Sequence, residues 1–392
     1  MTNSDKRAEV APVAGVLASA LVFLAGQGMA GTLIGVSAHE HGLSNATIGL
    51  IGSSYYLGFI AGCWGGPALI RRLAQQNSFG AVLLLAALAT LVFSLRSSPQ
   101  AWIAARASFG FAAAIVYTLI ESWLNHLARN SNRGRVFGSY LLTKQLGSTL
   151  GQALLVALAV PTGWLFAVAA LLFSVAWIPV RIAAPATPPL ERRALPRPLH
   201  LWRSAPVGVA ICALVGLANG AVWTLAPVYG VAHGFPRGWA GAFMGAFILG
   251  GAAIQYPVGW LSDRLDRRRL VAWASLCAAA AGLLLATMAA PRAGLLLGAT
   301  AFFGMAALPL YGLGVSIAND RIESGERVQT AAALLFLNSL ASAAGPALAG
   351  LLTERFGIAS LFYWTAAVHL AIAAFALRAR TAPVARAEAL GG

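Results

Sequence analysis

Ala205 to Val231 reads APVGVAICALVGLANGAVWTLAPVYGV and holds no charged residue. A helix rises about 1.5 Å per residue, so the roughly 30 Å hydrocarbon core of a bilayer takes about 20 apolar residues. In hydrocarbon the backbone must satisfy its own hydrogen bonds, so an apolar run of this length is a helix. Working outward from it, the chain offers twelve such runs, at about 11–37, 47–70, 79–95, 101–125, 136–159, 161–181, 205–231, 239–262, 270–290, 293–318, 330–353 and 358–378. Only Pro161, Thr162 and Gly163 separate the fifth from the sixth. The composition agrees: 59% of residues are hydrophobic and 10% charged, against about 25% charged in soluble domains. These features predict an all-α polytopic membrane protein with twelve transmembrane helices in two six-helix bundles.

Lys and Arg mark the cytoplasmic loops of membrane proteins. With the N-terminus inside, 21 of the 27 fall on cytoplasmic segments. Only Arg96, Arg237, Arg292 and Arg355 lie outside, while Arg106 and Lys144 fall within spans. An odd number of spans would spoil this alternation, so both termini are expected in the cytoplasm. The longest inter-span segment is rich in Pro and Arg. It divides the chain into an N-terminal bundle (1–181), a cytoplasmic linker (182–204) and a C-terminal bundle with a short tail (205–392). Gly65-Gly66 before Arg71-Arg72 recurs as Gly259 before Asp263, Arg264 and Arg267-Arg268-Arg269, 194 residues later. Two repeated six-span halves are a transporter architecture, with the solute site between them near the midplane.

The net charge of +15 does not indicate nucleic-acid binding, because the arginines sit in short clusters between apolar runs rather than on one basic face. Cys63, Cys212 and Cys277 are scattered inside apolar runs, with neither a disulfide framework nor metal-ligand spacing. There is no Gly-Lys-Ser/Thr phosphate loop and no hydrolase or metalloprotease signature. No enzyme activity, catalytic residue, cofactor or metal is expected.

Several motifs resemble the major facilitator superfamily, and the likeness covers nearly the whole chain. Gly259-x-x-x-Asp263-Arg264-x-x-Arg267-Arg268 looks like the loop motif of that family, of which Arg71-Arg72 is a degenerate copy lacking the acid. Arg106-x-x-x-Gly110 is similar to its fourth-helix arginine motif, and Gly345-Pro346 to its glycine-proline motif. Ser53-Ser54-Tyr55, Glu121-Ser122, Asn132-Arg133-Gly134-Arg135, Gly151-Gln152, Gln255-x-Pro257-x-Gly259 and Tyr311 resemble the bacterial YcaD-like branch. Lys144 departs from that pattern, at a position expected to be uncharged. The resemblance implies alternating access, a bacterial inner-membrane location, a monomer, and a lock on the outward-facing state through Asp263.

Ionisable groups inside spans are costly and mark functional sites. Glu121 is the only acid well inside a span and Lys144 the only lysine there. Both stand on neighbouring antiparallel helices, so they can approach, and making or breaking their pair would tie protonation to conformation. Glu121, Asp263 and Arg106 are therefore the candidates for proton coupling or gating, although Glu121 could equally anchor a helix end and Arg106 could equally orient helices. His369 is read as a hydrogen-bonded helix histidine. Lys144 suits an anionic solute group, or else a permanent partner of Glu121. Tyr55, Asn219, Trp223, Tyr311 and Asn338 are polar groups on helices that line the cavity in the resembling family, and complete the expected solute contacts.

The function read from these residues is secondary transport of a small organic solute, an anion by the evidence of Lys144, by proton-coupled alternating access. The partners are the solute, protons and the lipid bilayer, without nucleic acid. One alternative is a multidrug-type proton antiporter exporting amphipathic compounds. Another is a non-transporting membrane sensor or assembly factor.

Overall fold

The computed structural model describes residues 3–95, 98–129, 131–183, 185, 198–288, 293–323 and 326–378, with side chains from residue 11 onward. Among the described residues every regular element is a helix. They are α1 (Asn3–Glu40), α2 (Asn45–Leu73), α3 (Gln75–Leu95), α4 (Pro99–Leu127), α5 (Arg133–Ala157), α6 (Thr162–Val175), α7 (Trp177–Ala183), α8 (Pro198–Ser204), α9 (Pro206–Ala232), α10 (Arg237–Ser262), α11 (Arg267–Thr287), α12 (Ala293–Ala307), α13 (Leu310–Asn319), α14 (Arg327–Phe356) and α15 (Ser360–Arg378). The pairs α6–α7 and α12–α13 each form one continuous crossing, Thr162–Ala183 and Ala293–Asn319. The helices thus make twelve crossings, six on each side of α8. Most of the linker, the C-terminal tail, and Arg96, Arg192, Arg193, Arg197, Arg292, Arg380 and Arg386 lie outside the described residues.

Eleven of the crossings are long and apolar enough to span a membrane by composition alone. The twelfth, α5, is long enough at 25 residues but carries Arg133, Arg135, Lys144, Gln145 and Gln152. Other helices hold its polar positions. Gln152 Nε2 donates to the Gly28 carbonyl at 2.9 Å and its Oε1 accepts from Thr32 at 3.0 Å. Such bonds knit helices together where water is absent.

Small residues set the spacing. A side chain at Gly58 would collide with the Ala107 carbonyl, and one at Gly110 with the Tyr55 carbonyl, so α2 and α4 pack backbone to backbone. Large aromatic side chains fill the interior of each bundle: Phe79 against Trp123, Phe93 against Trp102 and Phe166, and Phe243 and Phe303 against Phe362. Leu84, Leu88, Leu171 and Leu351 point outward and are more than half exposed. On a helix this apolar, that is a lipid-facing surface.

The two bundles meet at the end where α1 finishes. Glu40 Oε1 pairs with Arg237 Nε on α10 at 3.3 Å. Arg237 Nη1 also donates to Thr162 Oγ1 on α6 at 2.6 Å, and Thr162 in turn to Glu40 Oε2 at 3.3 Å. Beside them, Asn45 Nδ2 on α2 donates to the Thr353 carbonyl on α14, and Ala46 N to Glu354 Oε2, both at 3.3 Å. Glycines let backbones touch here too, Gly49 against Pro346 and Gly241 against the Gln152 carbonyl. Towards the opposite end, where α1 begins and α15 finishes, α5 and α10 lose this cover: Leu141, Leu142, Tyr256 and Trp260 are exposed.

Candidate functional site

The polar groups of the N-terminal bundle form one connected cluster on α1, α2, α4 and α5. Tyr117 donates its hydroxyl proton to Gln27 Oε1 at 2.9 Å, and Gln27 Nε2 donates to the Tyr55 hydroxyl at 3.3 Å. The guanidinium of Arg106 lies over the Tyr55 ring, 4.7 Å from its centroid, and over Phe109 at 5.5 Å. At the other end of the chain of contacts, Lys144 Nζ lies 5.4 Å from the Tyr140 ring centroid and 5.7 Å from that of Tyr117. Each cation therefore sits on an aromatic face, where the ring quadrupole attracts it.

Glu121 and Lys144 both neighbour Tyr117 and Tyr140. Glu121 interacts electrostatically with the hydroxyls of both Tyr140 and Tyr117, the two rings on which Lys144 rests. Tyr117 lies four residues before Glu121 on α4, and Tyr140 four before Lys144 on α5. That spacing stacks each tyrosine on the same helix face as its charged neighbour. The intrahelical spacing was the available signal for both tyrosines, which sequence reasoning passed over.

The C-terminal bundle arranges its polar residues differently. Asn338 Nδ2 donates to the Cys212 carbonyl at 2.8 Å, joining α14 to α9 as helix glue. Trp223 packs edge-on against Phe247 at 5.5 Å. Asn219 Oδ1 is buried without a hydrogen-bond partner among the described residues. Tyr311 packs between two apolar clusters and its carbonyl faces Cys212 Sγ at 3.9 Å. His369 Nδ1 bonds the Thr365 carbonyl at 2.7 Å, a helix histidine tied to its own backbone.

Asp263 stands apart from the midplane groups. Its carboxylate meets Arg267 at 3.4 Å and is mostly exposed, while Arg267 also pairs with Asp320 at the end of α13 and bonds the Ser262 carbonyl. This cluster ties together α10, α11 and α13, all of the C-terminal half. Asp266 caps α11 by accepting from the backbone of Arg268 and Arg269.

Twelve crossings in two halves of six, a loop cluster at the end of the eighth, and an arginine four residues before Gly110 on the fourth are together the pattern of one family. The family model of the Major Facilitator Superfamily matches residues 16–251 and 237–391. The chain belongs to the major facilitator superfamily. It is 26% identical over 371 residues to an uncharacterized MFS-type transporter of Yersinia pestis (strain Pestoides F), covering 91% of this chain and 93% of the relative. It is 25% identical over 366 residues to the uncharacterized MFS-type transporter YcaD of Salmonella paratyphi B, with the same coverage of both chains, 91% and 93%. Among solved structures the fold resembles a mutant of the nucleoside transporter NupG, at a TM-score of 0.79 and 12% identity over 94% of this chain and 98% of that one. It also resembles the D-xylose-proton symporter, at a TM-score of 0.71 and 15% identity over 94% and 96%. This major facilitator protein is thus a multi-pass transporter by family and fold, not an enzyme.

Proposed function

We propose that this major facilitator transporter moves a small anionic organic solute across the bacterial inner membrane, coupled to protons. Residues 1–181 and 205–392 are its two rocking bundles, and both termini are cytoplasmic. The Glu40 end then faces outward, and the conformation described above is closed to the outside.

One observation carries the reading: Glu121 and Lys144 share Tyr117 and Tyr140. A lysine resting on aromatic faces keeps its N–H donors available for a carboxylate or phosphate. Glu121, reached through the same hydroxyls, is the proton-binding group. Protonation of Glu121 removes the negative charge that competes with the solute for Lys144. Solute and proton therefore bind more readily together than apart. Arg106 and Tyr55 extend the site towards the outer end, and Asn219, Trp223, Tyr311 and Asn338 complete it from the other bundle. Asp263 acts at the cytoplasmic face as a lock on the outward-facing state.

The test uses proteoliposomes containing a pH-sensitive dye and a panel of small carboxylates and phosphate monoesters. At least one should elicit proton movement that Lys144→Ala and Glu121→Gln each abolish. A second reading, export of amphipathic compounds, is favoured by the cluster of aromatic rings of Tyr55, Phe59, Phe109 and Tyr117. Proton movement elicited by varied amphipathic cations, and indifferent to Lys144→Ala, would establish it in place of the first.

A further inference from the structure

Between the bundles, towards the Glu40 end, lies a cavity of about 10 Å³ whose wall includes Gly31, Gly35, Gly52, Arg106 and Thr224. Arg106 is the one ionisable residue on that wall, and its Nη1 is buried with no hydrogen-bond partner among the described residues. The faces of the guanidinium are taken by Tyr55 and Phe109, so its edge is what it offers. Glu40, one turn beyond the cavity on α1, is tied to Arg237 and Thr162. Glu121 lies about four turns further along α4, beside Tyr117 and Tyr140. A guanidinium in low dielectric, with these carboxylates engaged elsewhere, demands an anion from outside the chain.

The glycines make the space. A side chain at Gly52 or Gly35 would run into Thr224, while nothing stands near Gly31. A space of this size accepts one water-sized particle, hence a halide or one carboxylate oxygen. Thr224, from the C-terminal bundle, is the other polar side chain on the wall; its hydroxyl donates to the Gly220 carbonyl at 3.0 Å and can turn to the cavity instead.

We propose that Arg106 and Thr224 form an anion site between the bundles, sized for a halide or one carboxylate oxygen. Its anion is either free halide or the carboxylate end of the transported solute. Because the walls come from both bundles, occupancy favours closure at the Glu40 end. The carboxylate arm rests on the reading above and deepens it, yet the test needs no gradient and no flux, so the two can fail separately.

Thermal unfolding of the purified protein is followed at constant ionic strength while sodium isethionate, a sulfonate too bulky for the cavity and without a carboxylate, is replaced by chloride, bromide or formate. A saturable rise in Tm of roughly 2–4 °C is expected. A rise with halides alone identifies free halide as the source, and one with formate identifies a carboxylate. The rise should vanish in Arg106→Gln and shrink in Thr224→Val. Equal Tm in all four salts overturns the site, as does a rise that survives Arg106→Gln. Should Arg106→Gln not fold, Arg106→Lys replaces it, and an undiminished rise in both Arg106→Lys and Thr224→Val overturns the site as well.

Discussion

The two halves of the molecule share an architecture but handle polarity in opposite ways. The N-terminal bundle holds Arg106, Lys144 and Glu121 among Tyr55, Tyr117, Tyr140 and Gln27, a continuous cluster in which cations lie on rings. At matching positions the C-terminal bundle holds Asn219, Trp223, Tyr311 and Asn338, uncharged groups that pack or glue helices. Keeping a charge in a membrane interior is justified by what it does there. On the proposed function, charge recognition belongs to the first half, and the second supplies a surface that closes over it.

The sharpest way to break this comparison is to treat the glycines of the two contact types alike. Gly110→Val drives a side chain into the Tyr55 carbonyl within one bundle. It should cost about 3 kcal/mol or more, read as loss of monodisperse protein in size-exclusion chromatography. Gly49→Val presses on Pro346 across the bundle interface, where separation of the bundles relieves it. That variant should fold and shift towards opening at the Glu40 end, read by labelling of a cysteine placed in the interface.

Next come the polar residues. Lys144→Ala should weaken binding of an anionic solute by about 30-fold, the worth of a hydrogen bond to a charged group, with little change in Tm. Asn338→Ala should do the reverse, losing about 1 kcal/mol of stability with the Cys212 bond and leaving affinity within about twofold. A larger effect of Asn338→Ala than of Lys144→Ala on affinity would invert the division between halves.

The outer ion pair is a smaller lever. Glu40 and Arg237 are each about one-third exposed, and such pairs contribute roughly 0–1 kcal/mol. Glu40→Gln should therefore shift the balance between states by no more than about fivefold, read by interspin distances. A change of comparable size is expected at Ala74, after Arg71-Arg72, which has φ 62° and ψ 164°. That backbone is favourable only for glycine, so Ala74→Gly should raise stability by about 1 kcal/mol, read as a rise in Tm.

Much of the fold was legible because apolar length alone dictates a spanning helix. α5 shows the limit. Its polar residues hide it from composition, whereas the loops around Asn132 and Pro161 expose it by position. The internal breaks at Ala176 and around Pro309 could not be read, since both flanking pieces are equally apolar. At the site, Glu121 and Lys144 were visible as costly charges, but the tyrosines neighbouring both were not, because a tyrosine is unremarkable in a span until its neighbour four residues away is considered. The Glu40–Arg237 closure was missed for a similar reason: each is a common residue type at a helix end, and only the folded chain makes them meet. Asp263 pairs with Arg267 within the C-terminal half, whereas Glu40 and Arg237 join the two halves at the other end of the molecule.

The central claim is that the bundles rock about a site whose protonation sets their balance. It is tested most directly by electron-electron distance measurements in proteoliposomes, with spin labels replacing His41 and Arg355 at one end and Arg71 and Arg264 at the other. On acidification the two distances should change in opposite directions, and Glu121→Gln should remove that response. Distances that do not move with pH, or that move identically in Glu121→Gln, would contradict the account.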